Sequence, residues 1–177
     1  NHAIARRVLA DTLALVERYD VDGLRVDAAK HMDHVIMRGL RKSLQARFEA
    51  GAGAPFHLVG ETFTGGDGHA LIMDYVSDAE LSGQFDFPLY WTIRSVFAHD
   101  GTMRDLEGAV EAGAAAWSGR PMSPFLGNHD VARFSTEAAA NDLGPWAWTE
   151  DLLAGGDAVD QWDLINRQSM ALAFTLT

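Results

Sequence analysis

Apolar side chains recur at three- and four-residue spacings near the start of the chain, through Ile4, Val8, Thr12, Leu15, Val16 and Tyr19, with Arg6, Arg7, Asp11, Glu17 and Arg18 mostly between them. That spacing predicts an amphipathic helix. Asp20-Val21-Asp22-Gly23 supplies the turn chemistry that ends it, and a short apolar strand follows, running into the charged cluster at Arg25, Asp27, Lys30 and His31. Helical spacing returns through Ile36, Leu40, Leu44 and Phe48, although Gly39 inside it costs about 1 kcal/mol relative to Ala. Gly51-Ala52-Gly53-Ala54-Pro55 closes this unit. It lacks the GxGxxG spacing of a phosphate loop and leads into a strand rather than a helix.

A second strand is predicted over Phe56 to Gly60, then a Gly-rich turn at Gly65-Gly66-Asp67-Gly68 and a short helix from Ala70 to Val76. Gln84-Phe85-Asp86-Phe87-Pro88 reads as a third strand, ended by a proline that cannot donate a ladder hydrogen bond. Met103, Leu106, Val110, Ala114 and Trp117 mark a helical face, and Met122 to Leu126 a fourth strand. From Val131 to Asp160 the chain reads as one long loop, of a length that usually serves function. A last helix follows from Trp162 to about Ala173. Trp91, Trp117 and Trp162 fall in helical patterns and are expected in the core, whereas Trp146 and Trp148 in the loop are placed to stack on a bound ligand.

A helix followed by four strand-helix units implies parallel pairing with right-handed crossovers. Four such units make half of an eight-stranded (β/α)8 barrel; the alternative is a small open doubly wound sheet with two edges to protect. The 177 residues, 47% of them hydrophobic, suffice for one substantial core, so a single α/β domain is the expectation. A formal charge of -11 and the lack of any basic run argue against nucleic acid as a partner, and no apolar run is long enough to span a bilayer. Zero cysteines exclude disulfides and thiolate metal sites and leave the compartment open. The chain starts without Met directly in helical spacing and stops without a cap, so it reads as an excised piece.

Asp27, Glu61 and Asp130 each stand just after a different apolar strand, so parallel pairing brings them to one end of the sheet. Side chains alternate faces along a strand, which puts Arg25 on the same face as Asp27. Alone, an Arg-x-Asp pair on a strand reads as a structural ion pair; three acids at strand ends read as chemistry. Convergent carboxyls suit glycoside hydrolysis, where one acid protonates a leaving oxygen and another attacks or stabilises an oxocarbenium-like centre. Glu61, leaving an apolar strand beside Thr62 and Phe63, has the setting of the proton donor. Asp27, with Arg25 beside it, has that of the ionised nucleophile.

Gly23-Leu24-Arg25-Val26-Asp27-Ala28-Ala29-Lys30-His31 resembles the second signature segment of the α-amylase family, glycoside hydrolase family 13. Gly60-Glu61-Thr62 is similar to its third segment and Phe125-Leu126-Gly127-Asn128-His129-Asp130 to its fourth, in the family's order. The resemblance implies barrel strands four to seven, with the first three strands, the inserted domain and the eighth strand absent. It implies that Asp27 is the nucleophile, Glu61 the general acid and base, and Asp130 the carboxylate that holds hydroxyls and stabilises the transition state. Arg25 would orient Asp27, His129 would bind hydroxyls at the cleavage point, and Lys30 and His31 would contact the sugar on the leaving-group side. Retention of configuration would follow, with the paired carboxyls about 5 to 5.5 Å apart.

The implied substrate is an α-1,4-glucan such as starch, glycogen or a maltooligosaccharide. No cofactor is required for that chemistry. The family leaves open a structural calcium, with the His31 backbone carbonyl as one ligand, and a chloride on Arg25 and Asn128. A secreted or periplasmic address is implied by the resemblance alone, and the oligomeric state is unassigned. Other readings are an α-glucosidase or transglycosylase on the same scaffold, and a non-catalytic amylase-like carbohydrate-binding or transporter-partner domain, which generally lacks one of the three acids. A metal-dependent barrel hydrolase using His31, Asp33 and His34 with His57, Glu61, His129 and Asp130 lacks a His-x-His or His-Glu-x-x-His motif, which makes His34 and His57 ordinary polar residues. Half a barrel leaves the site without wall on either side, so the 177 residues alone are expected to hydrolyse starch feebly or not at all.

Overall fold

A computed structural model describes residues 2–49, 54–139 and 161–176. The chain divides into two compact units, one built from residues 1–64, 69–85 and 117–123, the other from 65–68, 86–116 and 124–177. Trp146 and Trp148 lie outside the described residues. Among the described residues no helix is long and apolar enough to cross a membrane.

The first unit holds a four-stranded sheet, all parallel, of β1 (Gly23–Val26), β2 (His57–Gly60), β3 (Gly83–Phe85) and β4 (Met122–Ser123). Its spatial order is β1-β2-β3-β4. A doubly wound sheet reverses direction at a switch point; this one advances in one direction, as barrel wall does. Parallel strands this short are held by close backbone approach. A Cβ on Gly83 would run into the Pro121 backbone carbonyl, so that position requires glycine, and one on Gly60 would press on the Leu81 side chain.

Helix α1 (His2–Tyr19) forms as its spacing predicts, but on a different stripe. Leu9, Leu13 and Val16 pack onto the sheet's core, while Ile4, Val8, Leu15 and Tyr19 lie exposed. The helix carries two neighbouring apolar stripes, and periodicity alone does not say which is covered. The chain leaves α1 through Asp20, at φ 51°, one of the few residue types that tolerate the left-handed region at a helix end. Helix α2 (His34–Leu44) is capped by the Asp33 carboxylate, which accepts from the Val35 N–H at 2.8 Å, and it buries Met37, Leu40 and Leu44. A π turn over Gln45–Glu49 continues it, with Phe48 packed on the same core. Arg41 is buried in this unit and donates to the carbonyls of Glu80 (2.9 Å) and Phe56 (2.7 Å), which ties α2 to the segments flanking β2 and β3. Short α3 (His69–Met73) follows the Gly-rich turn.

In the second unit, α4 (Phe87–Ala98) corrects the reading of residues 84–88 as strand. The strand stops at Phe85, Asp86 caps the helix by accepting from the Leu89 N–H at 3.0 Å, and Pro88 sits in the first helical turn, where a missing N–H costs nothing. Sequence spacing put Trp91 in a helical pattern but gave α4 no bounds, because the helix is apolar nearly all round. Helix α5 (Met103–Trp117) buries Leu106 and Trp117 but leaves Met103 and Val110 exposed. The expected strand from Met122 to Leu126 is shorter, and the expected loop after Val131 contains helix α6 (Phe134–Ala139). In the last helix, α7 (Gln161–Thr175), Ala171 is buried and Trp162 is 73% exposed, which overturns its placement in the core.

Helices α4, α5, α6 and α7 share a core of Ile93, Phe97, Leu106, Phe134, Ala138 and Ala171. Inside this unit Arg94 and Glu137 form a buried ion pair through Nε and Oε2, with the guanidinium 5.3 Å over the Trp91 ring. Tyr90, 1% exposed and stacked on Phe125 at 4.6 Å, is pushed by burial and then by the Glu137 charge from 10.0 up to about 12, with Arg94 opposing. Below pH 10 the phenol is protonated whether the chain is folded or not. Between pH 10 and about 12 the unfolded chain loses that proton while the folded one keeps it, so stability is lost as pH rises, about 2 to 3 kcal/mol in all. Thermal melts across pH 9 to 12 should therefore fall more steeply for wild type than for Tyr90→Phe, and equal slopes would contradict the assignment.

Candidate active site

The site in the first unit grows out of one register step. Val26 of β1 pairs with Gly60 of β2, so the next residues, Asp27 and Glu61, leave the carboxyl ends of neighbouring strands side by side. The Glu61 N–H donates to the Val26 carbonyl at 2.8 Å, and the Ala29 N–H to the Glu61 carbonyl at 2.7 Å, which carries the pairing past the strands. Arg25 shares a face with Asp27, as alternation requires. Its Nη1 lies 2.8 Å from Asp27 Oδ1 and its Nη2 3.9 Å from Glu61 Oε2, so one guanidinium reaches both carboxylates. The Arg25 and Asp27 side chains are 37% and 70% exposed. In such a wet setting the pair adds little stability, and its effect is to orient the carboxylate.

The two acids occupy unlike surroundings. Asp27 opens to solvent, whereas Glu61 is 6% exposed. Glu61 is gripped by the backbone: the Ala28 N–H donates to its Oε2 at 3.1 Å. Ala28 reaches that position with φ 45° and ψ 44°, a left-handed conformation that a residue with a Cβ adopts at a cost of about 1 to 2 kcal/mol. This strain aims an N–H at the buried carboxyl. Residues 29–31 then close a 3-10 turn, and Lys30 crosses to the other strand's loop, its Nζ donating to the Phe63 carbonyl at 2.7 Å. His31 lies exposed beside it.

His129 and Asp130 belong to the second unit. The His129 Nε2 stands 3.3 Å from Asp130 Oδ2, and the Asn128 side-chain oxygen accepts from the Asp130 N–H at 2.8 Å, an Asx turn that shapes the segment. The residues considered for a metal hydrolase are otherwise engaged. Asp33 caps α2, His34 pairs with Glu80, and His57 points into solvent from β2. Among the described residues no group of three or more His, Asp or Glu side chains gathers as a metal-ligand set.

Three contributors escaped the sequence reading. Ala28 acts through its backbone, and only an unusual φ reveals it. Phe85 of β3 supplies a ring whose centroid lies 6.0 Å from the Arg25 guanidinium carbon; as a residue on the neighbouring face of a parallel sheet it was findable once strand order was known. Tyr75 donates its hydroxyl to the Lys30 carbonyl at 3.0 Å across a separation of 45 residues, and no local pattern announces it.

No family model matches the chain. It is 30% identical over 163 residues to the beta/alpha-amylase of Paenibacillus polymyxa, covering 92% of this chain and 11% of that protein. It is 32% identical over 136 residues to the cyclomaltodextrin glucanotransferase of Paenibacillus macerans, covering 75% of this chain and 18% of that one. The chain thus spans less than a fifth of the length of these relatives. Among solved structures, an α-amylase from Anoxybacillus superposes with a TM-score of 0.76 at 19% identity, over 98% of this chain and 33% of that one. The fold is accordingly α/β, a partial (β/α)8 barrel of four parallel strands and their flanking helices. By its curated relatives, and by the three segments that carry Asp27, Glu61 and Asp130, the chain belongs to the α-amylase family, glycoside hydrolase family 13.

Proposed function

We propose that this chain carries the acid-bearing part of an α-amylase-type glycosidase, a retaining hydrolase of α-1,4-glucans such as starch, glycogen and maltooligosaccharides. The observation that carries the reading is the guanidinium of Arg25 set between an exposed Asp27 and a buried Glu61 at the ends of adjacent strands. Asp27 attacks the anomeric carbon and forms a glycosyl-enzyme ester while Glu61 gives its proton to the departing glycosidic oxygen. Glu61, now a carboxylate, takes a proton from water, which attacks the same carbon and releases Asp27. Inversion twice at one centre gives retention. Lys30 and His31 face the leaving-group sugar, and His129 and Asp130 hold hydroxyls, Asp130 also stabilising the transition state, as in the family. The reaction runs on carboxyl groups and calls for no cofactor.

A second reading is favoured by the glucanotransferase relative: the same ester passed to a sugar hydroxyl instead of water. Proton NMR of maltoheptaose digestion by the protein in its full natural length tests both. The α-anomer of new reducing ends should appear first, and products longer than maltoheptaose would mark transfer. A β-anomer appearing first would contradict a covalent intermediate, and a folded protein that cleaves nothing would overturn the assignment.

A further inference from the structure

We infer that Tyr75 is a positioning residue for the leaving-group side of the site, acting through Lys30; this rests on the reaction proposed above. Lys30 is held at both ends. Its ammonium donates to the Phe63 carbonyl at 2.7 Å and its own carbonyl accepts the Tyr75 hydroxyl at 3.0 Å, so the 3-10 turn that presents Lys30 and His31 is clasped between the loop after Glu61 and a side chain from the loop after α3. Tyr75 is itself 7% exposed.

The phenol ring is braced from behind. His34 stacks on it with centroids 4.4 Å apart and planes 13° from parallel. His34 Nδ1 lies 3.1 Å from an oxygen of the buried Glu80 carboxylate, its Nε2 lies 3.5 Å from Asp74 Oδ2, and Arg38 donates to Glu80 at 2.8 Å. These are more polar contacts than one surface histidine needs, and together they fix the plane on which Tyr75 rests. The brace ends on the carbonyl of Lys30, and the Glu61 carboxyl has its own donor in Ala28. Loss of the phenol hydroxyl therefore loosens the turn that meets the leaving sugar and leaves the acid's grip in place.

The test compares two substrates in the full-length protein. Maltoheptaose places sugars on the leaving-group side; 4-nitrophenyl α-maltotrioside, cut at its aryl bond, places none there. Tyr75→Phe should lower kcat/KM for maltoheptaose about fivefold to tenfold, the worth of one hydrogen bond, and leave the aryl glycoside unchanged. In a Lys30→Ala background, where the turn still presents His31 but no longer the ammonium, the same substitution should cost less than it does in wild type. Equal losses on both substrates would make Tyr75 merely structural, and no loss on either would make it dispensable; each result overturns the inference. A wild type that cleaves neither substrate instead overturns the proposed reaction, and this role for Tyr75 with it.

Discussion

Glu61→Gln should lower turnover of maltoheptaose by about a hundredfold to ten-thousandfold, the contribution of a positioned general acid and base. The amide keeps the size of the buried group and accepts the Ala28 N–H through its oxygen, so folding is expected to survive and thermal melts should stay near wild type. The loss should depend on the leaving group. An aryl glycoside departs as a phenolate and needs no proton, so formation of the ester persists while its hydrolysis, which needs a base, does not. Azide attacks without a base and should restore turnover of the aryl glycoside in Glu61→Gln. In Asp27→Asn no ester forms, so azide can act only by displacing the aryl group directly, with one inversion to the β-glycosyl azide, whereas Glu61→Gln should give the α-glycosyl azide. The same anomer from both variants, or no rescue in Glu61→Gln, would show that the two roles are wrongly divided.

The parts of this site that could be read from the sequence are those that depend on alternation and position along a strand. Arg25 and Asp27 are two apart on an extended chain and do meet, at 2.8 Å; Asp27 and Glu61 each follow an apolar run and do leave neighbouring strands. What the chain alone conceals is contact between distant segments. Tyr75 and Lys30, or Arg94 and Glu137, are joined by packing, and nothing near either residue in sequence marks its partner. The fold divides the same way. Strand and helix order was legible because the period changes from two to about 3.6 between elements. The covered face of α1 was not, because two apolar stripes compete for one sheet, and α4 was marked only by the helical spacing around Trp91, because a helix buried on most sides has no polar side to set its phase. Trp162 illustrates the limit from the other direction: helical spacing located its helix but could not tell a core tryptophan from an exposed one.

Removing either partner of the Arg94–Glu137 pair should destabilise the second unit by about 3 to 5 kcal/mol, because the survivor is left charged in a setting that excludes water. Their side chains are 7% and 2% exposed. Glu137→Leu would leave the guanidinium with the Trp91 ring and His99 Nε2, 3.4 Å from its Nη2, and, among the described residues, no carboxylate in contact. Arg94→Met would leave a carboxylate whose Oε1 already lacks a hydrogen-bond partner among the described residues, with His99 Nε2 3.9 Å away. Replacing both, with Arg94→Met and Glu137→Leu together, removes two desolvation costs at once and fills much the same volume. The double variant should therefore recover most of what either single loses, or exceed wild type. Urea unfolding of the four proteins measures the coupling. The pair also ties α6 to α4, and α6 opens at Phe134, just beyond the His129-Asp130 segment. If the pair only holds the helices together, the double variant keeps wild-type kcat on maltoheptaose along with its stability. A double variant no more stable than the worse single would mean that the pair's geometry, and not its neutralisation, is what this unit needs.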